Sequence, residues 1–391
     1  MVADKLFYKT LLKNMFSDPF QVKFWDGNTE DYGVGKAKFK IIFNEPIPKK
    51  DLLSDPSTAF GEGYMTKKID IEGSIQDVIE SLYNNKESFL KNGEKYESLI
   101  KKFKSSIKAS KENIKFHYDI GNDFYKLWLD DSMTYSCGYF RDQTDTLNEA
   151  QKNKVNHILK KLNLKEGLSL LDIGCGWGEL IISAAKNYGV KAMGITLSSE
   201  QFEGVKERIK REGLEDLVDV KLIDYREIKG ITFDRVVSVG MLEHVGKENL
   251  KEYFQVVNRL LNDRGISVVH SITGVNDGGT NTWIDKYIFP GGYVPAIKEI
   301  ITEIAEQDFE LIDVESLRRH YGRTLENWAR NFEKALSEIE KDKEEVFIRM
   351  WRLYLNSCAA SFNCGNINIH QALFAKGLNN DLPWTREYMY K

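Results

Sequence analysis

The second half of the chain alternates between two patterns of apolar residues. Val155, Ile158 and Leu162 recur three or four positions apart, as expected for one face of a helix. Between such helical segments lie short runs rich in branched apolar residues, which are typical of buried strands: 168–175, 190–197, 218–224, 233–240 and 265–272. This alternation predicts a doubly wound, mostly parallel sheet with helices on both faces.

Two further segments have helical patterns. Residues 199–213 follow Ser198, whose spacing from Gln201 predicts a capping box at the helix start. The carboxyl-terminal segment 346–376 has the periodicity of a packing helix, and we expect Cys358 and Cys364 to be buried in it.

The first hundred residues have a different pattern, in which short apolar runs alternate with turn signals before a helical stretch at 74–85. They predict a smaller, mixed α+β domain. The opening helix carries an apolar face, which either packs on its own domain or also touches a membrane surface: Phe7, Tyr8, Leu11, Leu12 and Met15.

A lysine-rich stretch, 101–115, separates the two patterns and contains few large apolar residues. It is either a solvated connector or a segment drawn to anionic lipid headgroups, an attraction of about 1 kcal/mol per lysine near the surface. We therefore predict two domains, 1–105 and 106–391, in agreement with a length of 391 residues.

Composition narrows the class of protein. With 42% hydrophobic and 29% charged residues, the chain is typical of a folded globular protein, and a net charge of −4 argues against nucleic acid as a partner. The four cysteines lack metal-ligand spacing, and the first residues lack the apolar core of a signal peptide. We expect a cytoplasmic protein whose contact with lipid is peripheral, because no run reaches the ~20 apolar residues of a membrane span.

Three glycines, Gly174, Gly176 and Gly178, directly follow the first predicted strand of the larger sheet. Glycine lets the backbone approach a ligand, and ligands of doubly wound sheets lie at the carboxyl ends of the strands. The loop therefore favours a cofactor site, although its spacing departs from the dinucleotide fingerprint.

An acid, Glu243, and an imidazole, His244, follow the strand predicted at 233–240. From the residues alone, three functional roles are open for Glu243: a general base, a metal ligand or a group that holds something else. A structural pairing with His244 weighs evenly against a functional role.

The glycine loop with Asp172 resembles the loop of S-adenosylmethionine-dependent methyltransferases. The second strand ends in Thr196, Leu197 and Ser198 instead of the usual acid, which resembles the branch of the cyclopropane-fatty-acid synthases and mycolic acid cyclopropane synthases. Further segments are similar to signatures of that branch and stand in the same order: HYDIGNDFYKLWLDDSMTYSCGYF (117–140), GMLEHVG (240–246), VVHSITG (268–274), KYIFPGG (286–292) and HYGRTLENW (320–328).

The resemblance implies a Rossmann-like class I methyltransferase fold with an amino-terminal lipid-binding domain. It also implies transfer of a methylene group from S-adenosylmethionine to the cis double bond of unsaturated acyl chains in membrane phospholipids. By resemblance, the cofactor-binding residues are Tyr118, Tyr135, Ser136, Gly174, Gly176, Thr196, Leu197, Gln201, Asp224, Tyr225 and Arg226. Each aromatic residue among them could instead be part of the core, Tyr225 above all.

The chemistry that the resemblance implies requires a base, because methyl addition to an alkene leaves a carbocation that must lose a proton for the ring to close. The resemblance implies that this base is a bound bicarbonate ion, held by the side chains of Glu243, His270 and Tyr321 and by the N–H groups of Cys137 and Ile272. On this hypothesis Glu243 orients the base, and no metal is needed. The Cys137 thiol has no obvious base beside it and is not expected to be a nucleophile.

The reaction must also exclude water, which would trap the cation. Aromatic faces stabilise a desolvated cation by roughly 2 kcal/mol, so four aromatic residues form a candidate wall: Trp283, Tyr287, Phe289 and Tyr293. Two other functions stay open, methylation of a phospho-amine headgroup and lipid binding without catalysis. We expect a homodimer at the inner face of the cell membrane.

Overall fold

The structure is a computed structural model, and it describes residues 2–85, 121–276 and 278–391. The chain divides into two compact units. The catalytic unit, as we name it from the sequence motifs that it carries, comprises residues 118–280, 291–324 and 367–391. The amino-terminal unit comprises residues 1–117, 281–290 and 325–366. The domain boundary predicted at residue 105 lies outside the described residues and stays a prediction, as do the roles predicted for the lysine-rich stretch and for Tyr118.

The strands, in chain order, are β1 Phe20–Lys23, β2 Thr29–Tyr32, β3 Phe39–Phe43, β4 Ile69–Glu72, β5 Ser169–Ile173, β6 Lys191–Thr196, β7 Val218–Leu222, β8 Phe233–Val239, β9 Leu261–Gly274, β10 Phe309–Ser316 and β11 Ile367–Lys376. The α-helices of the described residues are α1 Val2–Lys13, α2 Lys49–Ser54, α3 Pro56–Met65, α4 Ile75–Asn84, α5 Asn122–Lys126, α6 Leu147–Lys161, α7 Glu179–Tyr188, α8 Ser199–Glu212, α9 Leu250–Leu260, α10 Thr282–Tyr287, α11 Ile297–Glu306, α12 Arg318–Lys334, α13 Leu336–Ile339, α14 Glu345–Asn363 and α15 Glu387–Tyr390.

The catalytic unit is built on a seven-stranded sheet of order β10-β11-β9-β8-β5-β6-β7. Strands β5 to β9 pair in parallel, as their apolar runs predict. Successive residues of β5 point to opposite faces, so that Leu170 joins an apolar core with Ile158 while Leu171 joins another with Phe254. The doubly wound, mostly parallel sheet is therefore confirmed.

The prediction of a helix over the whole of 346–376 is wrong in its second part. Helix α14 ends at Asn363, and Gly365, with φ of +73°, takes the left-handed conformation that glycine adopts at low cost. Strand β11 then runs antiparallel between β9 and β10. Cys358 and Cys364 are half-buried, not buried as predicted.

The amino-terminal unit contains a four-stranded sheet of order β2-β1-β3-β4, and its helices cover an apolar core. The opening helix α1 contributes Tyr8 and Leu12 to this core, and the Tyr8 hydroxyl donates to the Ile47 carbonyl. The apolar face of α1 therefore packs on its own domain, as one of the two readings predicts. A smaller mixed α+β domain is confirmed.

Three of the four predicted wall residues lie in this amino-terminal unit. Trp283 is buried and donates from Nε1 to the Met65 sulfur, and the Tyr287 hydroxyl donates to Glu62. The ring of Phe289 lies edge-on to Tyr354. Their contacts are those of a packed core, whereas Tyr293, the fourth, belongs to the catalytic unit.

Within the described ranges, no helix is both long enough and apolar enough to cross a membrane.

Candidate active site

The predicted site residues converge on one edge of the seven-stranded sheet. Strands β5, β6, β7 and β8 are parallel, so their carboxyl ends lie together. Gly174 follows the first of these strands, Thr196 ends the second, and Asp224 follows the third. Glu243 lies just after the fourth, in a short 3₁₀ turn at Leu242–His244.

The loop after β5 turns sharply, and the N–H groups of Gly174 and Cys175 both donate to the Ile195 carbonyl at 3.0 Å. Gly174 and Gly176 have φ of +83° and +56°, which only glycine adopts without strain. A Cβ on Gly174 would press on Met241 at 3.0 Å. A Cβ on Gly176 would meet no described atom within 4 Å, so the backbone there faces open space.

Below this loop, Asp172 is buried, and its Oδ1 has no hydrogen-bond partner in the described part of the chain. Burial raises the pKa of Asp172 to about 7, while the positive charge of Lys154 acts in the opposite direction. The Lys154 side chain is itself buried, and its Nζ donates to Ser136 Oγ at 3.0 Å. Burial lowers the pKa of Lys154, and the charges of Asp130 and Asp172 oppose that shift.

Lys154 was not among the predicted site residues, but the sequence carries a signal for it. Helix α6 buries Ala150, Val155 and Ile158 on one face. Gln151 and Lys154 fall at the same helical spacing, so that two polar side chains interrupt an apolar stripe. Polar residues at such positions are buried, and buried polar groups need partners, which makes them candidates for a site.

At the end of β6, the Thr196 hydroxyl donates to Gln201 Oε1 at 2.8 Å and accepts the Ser198 N–H at 3.1 Å. Ser198 caps helix α8 by accepting the Gln201 N–H, but the Gln201 side chain turns to Thr196 instead of completing the predicted box. Leu197 is 75% exposed beside this cluster. The end of β6 therefore carries neutral side chains and no acid.

After β7, Asp224 caps a short turn and binds Arg226 through both carboxylate oxygens, at 2.9 and 2.7 Å. The Arg226 hydrogen bonds lower the pKa of Asp224. The Tyr225 ring is half-buried and lies edge-on to Tyr253 at 5.6 Å. Tyr225 therefore packs against the apolar core, which is one of the two roles that the sequence left open.

Tyr135 belongs to an aromatic cluster beside the glycine loop. Its ring lies 5.5 Å from Tyr125 and 5.6 Å from Trp128. Tyr125 also contacts Trp177, which lies inside the loop and donates to Asn122 at 3.0 Å. The cluster connects the segment before the sheet with the glycine loop.

Glu243 is held by the backbone of the neighbouring strand. Its Oε1 accepts the Ile272 N–H at 2.6 Å, while its buried Oε2 has no partner among the described residues. Burial raises the pKa of the Glu243 carboxyl to about 7, and the Ile272 hydrogen bond partly offsets the shift. The Ile272 N–H thus has an acceptor within the chain, and its predicted contact with an anion stays a prediction.

His270 lies two residues before Ile272 on β9, so the two side chains share a face of the sheet. The ring is fully buried, and Nδ1 is 2.9 Å from Gln371 Nε2 on β11. Burial lowers the pKa of His270 well below its usual value, which makes the ring neutral. Since the Gln371 amide donates to Nδ1, the ring proton sits on Nε2, and this N–H is buried without a described acceptor.

Cys137 and Tyr321 both contact the carbonyl of Leu317, the residue between β10 and α12. The Leu317 carbonyl accepts the Tyr321 N–H at 3.1 Å and lies 3.9 Å from the Cys137 sulfur. The Leu317 N–H donates to Ile369, which pairs with Ile272 in the sheet. Burial raises the pKa of the Cys137 thiol, so this thiol is a poor nucleophile. The described residues contain no group of three or more His, Cys, Asp or Glu side chains placed to hold a metal ion.

The sheet order and the glycine loop at its carboxyl edge define a class I S-adenosylmethionine-dependent methyltransferase. Residues 105–372 match the family model of mycolic acid cyclopropane synthetase, and the chain belongs to that family. Residues 7–94 match a family described as a domain of unknown function (DUF7884).

Two relatives and one solved structure illustrate this similarity. A probable fatty acid methyltransferase of Pseudomonas putida is 40% identical over 390 residues, which cover 95% of this chain and 96% of its own. The cyclopropane-fatty-acyl-phospholipid synthase of Escherichia coli (strain K12) is 43% identical over 273 residues, or 70% of each chain. The structure of mycolic acid cyclopropane synthase CmaA1, complexed with SAH and CTAB, aligns with a TM-score of 0.64 at 33% identity, covering 69% of this chain and 99% of its own.

Proposed function

We propose that this protein transfers a methylene group from S-adenosylmethionine to the cis double bond of an unsaturated acyl chain in a membrane phospholipid, with bound bicarbonate as the base. One observation carries the proposal. Glu243 Oε2 and His270 Nε2 are an acceptor and a donor, both buried without a described partner, in a chain of the cyclopropane synthetase family. Buried polar atoms of this kind are rare unless something binds them.

The relatives support the substrate class at two levels. The E. coli relative is named for cyclopropane formation on a fatty-acyl phospholipid, and it aligns with 70% of this chain. The P. putida relative, which aligns with 95% of the chain, is named more broadly as a probable fatty acid methyltransferase. Both names give a fatty acid or a fatty-acyl lipid, not an amine, as the substrate.

The glycine loop and its surroundings fit S-adenosylmethionine. When bound, this cofactor supplies an electrophilic methyl group on sulfur. The backbone at Gly176 faces open space, and we propose that Gly174 and Gly176 approach the cofactor. We also propose that Thr196, Leu197 and Gln201 contact its ribose and methionine parts. Further contacts proposed from the family motifs are those of Tyr118, Tyr135, Ser136, Asp224, Tyr225 and Arg226.

The donors and acceptors of the proposed anion site match those of bicarbonate. Bicarbonate carries a hydroxyl, which can donate to Glu243, and carboxylate oxygens, which can accept from His270 Nε2–H, the Tyr321 hydroxyl and the Cys137 N–H. When bound, bicarbonate supplies the base. The side chains of the site are not available as bases, because they bind the bicarbonate. The side chains of Cys137 and His270 are fully buried, so water has little access to this site.

Product analysis tests this function directly. The protein is incubated with methyl-labelled S-adenosylmethionine and vesicles of a cis-unsaturated phospholipid, and the acyl chains are analysed by mass spectrometry. We expect the label in a cyclopropane ring. Label in a methyl branch would support fatty acid methylation without ring closure, and label in the headgroup would support N-methylation. Unchanged lipid together with bound vesicles would support a lipid-binding module. Each of these three results contradicts the proposal.

Bicarbonate is tested separately in the same assay. Buffers freed of carbon dioxide should lower the rate of ring formation, and added bicarbonate should restore it while chloride should not. An equal rate in the buffer freed of carbon dioxide and in the buffer with bicarbonate would contradict the proposed base. It would leave the proposed product unchanged.

We further propose that the protein acts as a homodimer at the inner face of the cell membrane. Light scattering in solution measures the oligomeric state, and vesicle flotation measures association with the lipid surface. A monomer, or protein that stays with the soluble fraction at every lipid composition, would contradict this part.

A further inference from the structure

Two buried neutral side chains, Gln151 and Thr324, bind the backbone on either side of Cys137. Gln151 Nε2 donates to the Ser136 carbonyl at 2.8 Å, and Thr324 Oγ1 accepts the Gly138 N–H at 3.0 Å. Both side chains are almost fully buried, at 1% and 0% exposure. Burying such polar groups is unfavourable unless they are hydrogen-bonded. The hydrogen bonds to the backbone beside Cys137 therefore offset the cost of burying these two side chains.

We infer that Gln151 and Thr324 are positioning residues that aim the Cys137 N–H into the proposed anion site, an inference that rests on the proposed function. The Ser136 carbonyl and the Cys137 N–H belong to one planar peptide group and point in opposite directions. When Gln151 binds the carbonyl, it therefore fixes the direction of the N–H. Thr324 fixes the following peptide group through Gly138.

Close packing reinforces the two hydrogen bonds. A Cβ on Gly138 would lie 3.1 Å from the Ala150 Cβ and 3.3 Å from Thr324 Oγ1, so the backbone lies directly against both helices. The Thr324 hydroxyl also donates to the His320 carbonyl at 2.8 Å, which fixes its orientation as an acceptor for Gly138. The peptide groups around Cys137 thus have little freedom to rotate.

The same helix holds the segment beyond Cys137. His320 Nδ1 accepts the Phe140 N–H at 3.1 Å, and the Arg323 guanidinium lies 4.4 Å from the Phe140 ring centroid and donates to the Gln143 carbonyl. His320, Arg323 and Thr324 are spaced by three and four residues and so share a face of α12. Tyr321 sits one position after His320, about 100° around the helix. Helix α12 therefore holds two proposed anion-binding groups, the Tyr321 side chain and the Cys137 amide, in one fixed arrangement.

A matched pair of substitutions tests the inference in the full-length protein. Thr324→Val keeps the shape but removes the acceptor, whereas Thr324→Ser keeps the hydroxyl. Hydrogen exchange is measured by mass spectrometry, and the rate of ring formation is measured against bicarbonate concentration. For Thr324→Val we expect about tenfold faster exchange at residues 137–141 and about a tenfold higher bicarbonate concentration at half-maximal rate, the factor that one hydrogen bond contributes.

Thr324→Ser should restore most of both properties, and the affinity of either variant for S-adenosylmethionine, measured by calorimetry, should change less than threefold. Gln151→Met provides a second test, with the same expected shift in bicarbonate dependence. A purely structural role would lower the melting temperature and the rate at all bicarbonate concentrations while the half-saturating concentration stayed constant; that result overturns the inference alone. A wild-type rate that ignores bicarbonate contradicts the proposed function itself.

Discussion

At the scale of single residues, the site is defined by polar groups that the fold buries without an obvious partner. Glu243 and Asp172 both sit at the carboxyl edge of the sheet, and burial raises the pKa of each to about 7. Such shifts cost stability and are typical of functional sites. The sequence singled out Glu243 because it follows an apolar strand, and it singled out Asp172 only through the resemblance of the glycine loop. For Lys154 the sequence carries only a weaker signal, a polar residue within the apolar stripe of α6, and the structure shows that its side chain is buried.

Glu243→Gln is expected to abolish most activity and to stabilise the protein at alkaline pH. The folded pKa of Glu243 is about 7, above the ordinary value of 4.5. Its contribution to stability is therefore fully present below pH 4.5 and is lost as the pH rises through 7. A shift of this size corresponds to about 3 kcal/mol, and glutamine keeps an oxygen for the Ile272 N–H.

Urea unfolding in bicarbonate-free buffer measures this effect. The gain in unfolding free energy for Glu243→Gln should be larger at pH 8.5 than at pH 5, while ring formation falls at least a hundredfold. An equal gain at both pH values would show that the Glu243 charge is not the cause.

Lys154→Met is expected to weaken binding of S-adenosylmethionine about tenfold. The change removes the donor to Ser136 Oγ and the positive charge that lowers the pKa of Asp172. Lys152→Met, an exposed lysine on the same helix, is the matched control and should bind as the wild type does. Calorimetric titration with S-adenosylmethionine measures both affinities. Equal affinities of Lys154→Met and Lys152→Met would contradict this prediction.

At the scale of elements, the parallel strands were predictable and the antiparallel ones were not. Strands β5 to β9 are short apolar runs between helical segments, and each occurs where the sequence predicts it. Strand β11 is buried along most of its length, so it lacks the alternation of a half-exposed strand, and it follows a long helix. A short apolar run of that kind cannot be distinguished from a helix by periodicity.

The glycine loop gives a prediction at this scale. Gly176 and Gly213 have similar positive φ values, +56° and +65°, and a Cβ at either position meets no described atom within 4 Å. Alanine at either position should therefore cost a similar 1–2 kcal/mol of stability, on the order of the left-handed strain. Only Gly176→Ala should also weaken S-adenosylmethionine binding, by about tenfold or more, because only its methyl group enters the proposed ligand space. Equal binding by Gly176→Ala and Gly213→Ala would exclude Gly176 from the cofactor site.

At the scale of the molecule, the amino-terminal unit is assembled from segments that lie far apart in the chain. Arg349, on α14, donates to the Tyr64 carbonyl at 2.5 Å and to Asp70 at 2.6 Å. Trp283 lies against Gly61 and Met65 of α3. This unit therefore depends on residues from 281–290 and 325–366, which a division of the sequence at one boundary would assign elsewhere.

An isolated fragment of residues 1–105 is accordingly expected to fold poorly. It would lack Trp283 and Arg349, leaving the Gly61 and Met65 surface uncovered and removing the guanidinium that binds the Tyr64 carbonyl and Asp70. We expect no cooperative transition in urea. In the full chain, Trp283→Ala should destabilise this unit by about 3–5 kcal/mol. A fragment that unfolds cooperatively, as the full chain does, would contradict the expectation.

The sequence by itself determined the parallel strands β5 to β9 and the helices between them, the glycine loop and the acids at strand ends, because these follow from local spacing along the chain. Only the tertiary structure decided what the buried polar groups touch. Glu243 meets the Ile272 amide and His270 meets Gln371 across strands, and Gln151 and Thr324 meet the backbone beside Cys137 from two helices. These contacts join residues that are distant in sequence, and packing of the whole sheet selects them, so no local pattern encodes them.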